Sequence, residues 1–124
     1  MTLKYLSIIG LTLLASCVTP LPESQLETLT RWAQRLESTA TDLSMLSSSK
    51  ATREWSGKVA VIMASLKEAI RSGNIQTVQG IINELRGLKV TLIKSLQEEG
   101  VKSESILAIA IGFDLALSGL EEAL

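Results

Sequence analysis

Residues 24–46 read SQLETLTRWAQRLESTATDLSML. Leu26, Leu29, Ala33, Leu36, Ala40 and Leu43 recur at spacings of three and four. That is the period of one helix face, sustained for three heptads. Trp32 and Leu46 widen the seam on one flank. Ser24 with Glu27 three residues on has the form of a capping box, so the helix is predicted to start at Ser24. Ser47-Ser48-Ser49 is where it is predicted to end. The seam is short for a two-stranded coiled coil and lacks regular flanking charges, so it points to packing within a bundle.

Three further segments carry the same period. A second helix is predicted from Ala51 to Ser72, with Ala51, Trp55, Val59, Ile62, Leu66, Ala69 and Ile70 on one face. Gly73 suits the residue after a helix and Asn74 suits an N-cap, so helices two and three should meet in a tight antiparallel turn. The third is predicted from Ile75 to Glu99, its stripe being Val78, Ile81, Ile82, Leu85, Leu88, Leu92 and Leu96, with Gly100 closing it. Gly80 and Gly87 fall almost opposite that stripe, where they read either as tolerated on a solvated face or as sites for close approach of a partner backbone. The fourth is predicted to begin with Ser103 as N-cap. It has a bulky stripe (Ile106, Ile109, Phe113, Leu117, Leu120, Leu124) beside a small one (Ala108, Gly112, Ala116, Gly119, Ala123). Two stripes imply two neighbours. Leu107, Ile111 and Leu115 remain on the other arc. The fold class read from these patterns is all-α: a four-helix up-down bundle over 24–124.

Composition narrows the function. Twelve basic and thirteen acidic residues include no basic block, so nucleic acid has no electrostatic footprint here. With no histidine and one cysteine, metal sites, disulfides and Cys/His nucleophile pairs lack their residues, and no cofactor is expected. Glu98-Glu99 and Glu121-Glu122 are adjacent carboxylates at helix ends and read as solvated faces rather than acid–base pairs. No enzymatic activity is expected.

The N-terminus reads as an address. Lys4 gives a short positive region, Tyr5 to Leu14 is apolar, and Ala15 and Ser16 are small. That is the layout of a secretory signal, too short to span a bilayer. Leu14-Ala15-Ser16-Cys17 resembles the lipobox of bacterial lipoproteins. The resemblance implies cleavage after residue 16, lipidation (palmitate among the acyl groups) of Cys17, and a tether over 17–23 stiffened by Pro20 and Pro22. Two or more acyl chains on one residue meet the need for stable membrane attachment. Val18, where an aspartate would resemble an inner-membrane retention signal, leans towards the outer membrane, with the domain facing the periplasm.

The function expected is that of a small lipid-anchored interaction module binding an envelope protein, its candidate face comprising Gly80, Gly87, Leu107, Ile111 and Leu115. In architecture alone this is similar to the pilotins that escort secretins, and to lipoproteins that block envelope receptors. Two other readings stay open. In one, residues 103–124 enter the inner membrane and the chain bridges two membranes, as single-chain phage spanins do. In the other, the bundle carries an apolar ligand.

Overall fold

The computed structural model describes residues 21–124; the signal segment, Cys17 and most of the tether lie outside the described residues. Four helices follow one another: α1 Glu23–Ser44, α2 Lys50–Ser72, α3 Ile75–Glu98 and α4 Ser103–Ala123. They close a ring in which α1 packs on α2, α2 on α3, α3 on α4, and α4 back on α1, the last contact being the most extensive. The first three are amphipathic and α4 is apolar over more of its surface; burying apolar faces inward is what stabilises helices of this length. The core is built from Leu29, Leu36 and Leu43 of α1, Met63 and Leu66 of α2, Ile82, Leu85, Leu92 and Leu96 of α3, and Ile106, Phe113, Leu117 and Leu120 of α4.

The boundaries follow local chemistry and correct the sequence reading in places. α1 starts at Glu23, inside the predicted tether, and no side chain caps it: Pro22 sits at φ −54°, ψ 144°, and its carbonyl accepts from the Leu26 amide at 2.9 Å. Proline holds that φ in advance of the helix, so Ser24 falls in the first turn and is no cap. α1 ends at Ser44, earlier than the triple serine, and Ser49 instead caps α2 by accepting from the Thr52 amide at 3.2 Å. Ser103 is the first residue of α4 rather than its cap; Lys102 precedes the helix with no side-chain bond.

The α2–α3 turn is as predicted. Gly73 adopts φ 73°, the left-handed conformation that closes a helix, and Asn74 accepts from the Thr77 amide at 3.1 Å. In α2 the buried face includes Thr52 and Met63, while Ala51 is exposed and Ile62 half-buried. The seating of Trp55 accounts for this. Its indole donates to the Leu88 carbonyl of α3 at 2.8 Å, and its ring lies 6.3 Å from Phe113 at a tilt of 51°. Satisfying the indole N–H while burying the ring fixes the rotation of α2.

Candidate functional site

The α1–α4 seam decides which part of α4 is covered. Gln25 at the start of α1 donates to the Ala123 carbonyl at 2.9 Å, so the N-terminus of α1 adjoins the C-terminus of α4. Further along, the Trp32 ring lies over Gly119, where a β-carbon would sit 2.3 Å from it. Thr39 Cγ2 would be 3.2 Å from a β-carbon at Gly112. The small stripe of α4 is therefore the floor on which α1 rests, and its tightest point is Gly119 rather than Gly112. The Arg35 guanidinium lies over the Trp32 ring, 5.0 Å from its centroid.

The opposite flank of α4 is tied to α3 by charge. Glu121 accepts from Arg86 at 2.9 Å and from Gln79 at 3.0 Å, and Asp114 accepts from Lys89 at 2.6 Å. Arg86, and then Gln79, hold the Glu121 carboxyl at about 2, well below its ordinary 4.5. The other glutamate at a helix end is also engaged. Glu99 accepts from the hydroxyls of Ser47, Ser49 (2.9 Å) and Ser95 (3.1 Å), which lowers its pKa and fastens the α1–α2 loop to the end of α3. Glu99 and Glu121 are thus clamps between helices, a role that adjacency in sequence did not reveal. All four glutamates are solvent-exposed, as expected of both pairs, and Glu99 and Glu121 in addition bond to neighbouring elements.

With α4 held on both sides, Leu107, Ile111 and Leu115 are left outside, 59%, 58% and 62% exposed. They are spaced four residues apart and share one face. Beside Leu115 a cleft of about 260 Å³ runs along the seam, lined by Trp32, Arg35, Ser38, Thr39, Gly112 and Ala116. Gly80 and Gly87 are exposed on α3, with nothing within 4 Å of a β-carbon at either. Gly80 and Gly87 stand on α3, and Leu107, Ile111 and Leu115 on α4, where Asp114 beside Leu115 accepts from Lys89, two residues from Gly87. Cys17 lies outside the described residues.

The larger cleft, about 660 Å³, was not legible in sequence. It opens between α1 and α2 near the start of α1, floored by Leu26, Ala33, Ala64 and Ile70. Lys67 bridges it to Glu37 at 2.9 Å. By length and composition α4 could also cross a membrane, although Phe113, Leu117 and Leu120 on it are buried in the bundle. Among the described residues no three potential metal ligands gather. Set against protein-family models, curated proteins and solved structures, the chain has no match.

Proposed function

We propose that this chain is a lipid-anchored protein of the bacterial envelope, held by Cys17 at the outer membrane, that acts without catalysis by binding protein through α4. The observation that carries this reading is the stripe of Leu107, Ile111 and Leu115, solvent-exposed on the helix that also supplies the centre of the core. A soluble fold rarely leaves three large aliphatic side chains aligned on one helix face without a use, and such patches mark contact surfaces. The stripe runs from 16 to 8 residues before Ala123, the end of α4 that meets the start of α1. At ~1.5 Å per residue its members stand about 24 to 12 Å from that end along the bundle, so it is reached from the side.

Packing supports this reading over a two-membrane bridge. Withdrawing α4 into a bilayer would strip Phe113, Leu117 and Leu120 from the core and leave Lys89 without Asp114. The α1–α2 cleft is where an apolar ligand would lodge, but its rim carries Glu37, Lys67, Glu68 and Arg71. The test has two arms in growing cells. Labelled palmitate should enter the wild-type chain and not Cys17→Ser. A photoreactive residue at Ile111 should cross-link to protein, and one at Gly57, on the exposed side of α2, should not. Lipid-free wild type, or cross-linking only to lipid from Ile111, would contradict the proposal.

A further inference from the structure

We infer that the protein bound by the α4 face is a second copy of this chain, arranged antiparallel about a two-fold axis at Ile111. This rests on the reading of α4 as a protein-contact surface and names its occupant. Three observations carry it.

The stripe is self-complementary. Leu107 and Leu115 lie four residues either side of Ile111, so an antiparallel copy sets Leu107 against Leu115 twice, with Ile111 on the axis. A two-fold contact demands such a surface, in which the same patch serves both partners.

The flank of α1 beside the stripe is charged in the matching order. Arg35 and Ser38 line the cleft with Leu115, and Asp42 stands two turns beyond Arg35 on the same face of α1. Among the described residues neither Arg35 nor Asp42 has an ion-pair partner, and Arg35 lies over the Trp32 ring on this flank.

The register of α1 on α4 brings the two facts together. Trp32 over Gly119 and Thr39 beside Gly112 place Ser38 to Ala40 level with Ile111. The axis through Ile111 therefore passes near the midpoint of Arg35 and Asp42. Arg35 of one copy comes within about one helical turn of Asp42 of the other, and the reverse, which a long arginine side chain spans. A parallel pair about an axis along α4 would set the two α1 helices on opposite sides of the seam, so Arg35 and Asp42 of the two copies would not meet. In the antiparallel pair both α1 helices lie on the same side of the axis. With the axis upright, both tethers can reach one membrane while the bundles lie along it.

The test uses the full lipidated chain in mild detergent, followed by sedimentation equilibrium over a range of concentrations. Wild type should sediment at twice the protomer mass, and Ile111→Glu as a protomer across that range. Arg35→Asp and Asp42→Arg should each weaken pairing on the order of tenfold. The double variant carrying both should recover most of the loss, because the reversed charges meet again. Circular dichroism separates weakened pairing from unfolding, since these side chains are exposed. As a second readout in membranes, Ser38→Cys near the axis should form a disulfide-linked dimer and Gly87→Cys should not. Protomer mass for wild type throughout, or pairing indifferent to Ile111→Glu, would overturn the inference. If the wild type is a protomer yet Ile111 still cross-links to a different protein, self-pairing fails and the protein-binding reading stands. If Ile111 cross-links only to lipid, that reading fails as well.

Discussion

Gly119 and Trp32 set how near α1 and α4 come. A methyl group at position 119 would meet the indole at 2.3 Å, and Arg35 also lies over that ring. Helix propensity alone favours alanine over glycine by about 1 kcal/mol. Overpacking costs about 1–3 kcal/mol and should win, so Gly119→Ala is expected to lower stability in urea melts. Gly80 meets nothing, and Gly80→Ala should raise stability by up to about 1 kcal/mol. Both glycines sit in helices, and sequence spacing separated them correctly by face. Spacing did not single out Gly119 from Gly112, because which one receives the indole depends on how far α1 is slid along α4. Charge gives a further expectation at this scale. Glu121 titrates at about 2 because of Arg86 and Gln79, and Glu99 is lowered by its three serines. A carboxylate with a depressed folded pKa contributes stability that is complete above its ordinary value of 4.5 and lost as pH falls through the folded value. The urea midpoint should therefore decline from about pH 4.5 towards 2, and Arg86→Ala should flatten that decline.

The helices themselves were legible because their apolar period runs for five or six turns each, and tertiary burial reinforces it. The turn at Gly73 and Asn74 was legible for a different reason: a left-handed residue and an N-cap each have narrow chemistry. The starts of α1 and α4 were not, since serine followed by an acidic residue marks a cap only if the preceding backbone is extended at that residue. Pro22 and Lys102 took that position instead. Ser49, read as part of a helix-ending run, both caps α2 and donates to Glu99. Ser49→Ala should cost about 0.5–2 kcal/mol, the usual range for a lost N-cap. Amide exchange should quicken first in the opening turn of α2 and in the α1–α2 loop, and unchanged exchange there would contradict the assignment.

At the scale of the molecule, the ring of four helices leaves α4 in two roles. One side closes the core through Phe113, Leu117 and Leu120; the other holds Leu107, Ile111 and Leu115 in solvent. Packing on two neighbours therefore accounts for the buried apolar residues of α4, and the exposed stripe is the surface that the proposed contact would use. Composition alone could not separate that from a membrane span, because both need the same residue types. What separates them is whether α4 stays against α1 once the chain is anchored. Thr39 and Gly112 offer a direct test, since a β-carbon at Gly112 would lie 3.2 Å from Thr39 Cγ2, close enough for thiols at the two positions to meet. In membranes carrying the lipidated chain, Thr39→Cys combined with Gly112→Cys should oxidise to an intramolecular disulfide in most molecules, seen as faster migration on a non-reducing gel. Failure to form that bridge in membranes, with the position-112 thiol reacting with water-soluble maleimide only after detergent is added, would show α4 in the bilayer and contradict the bundle as the working form.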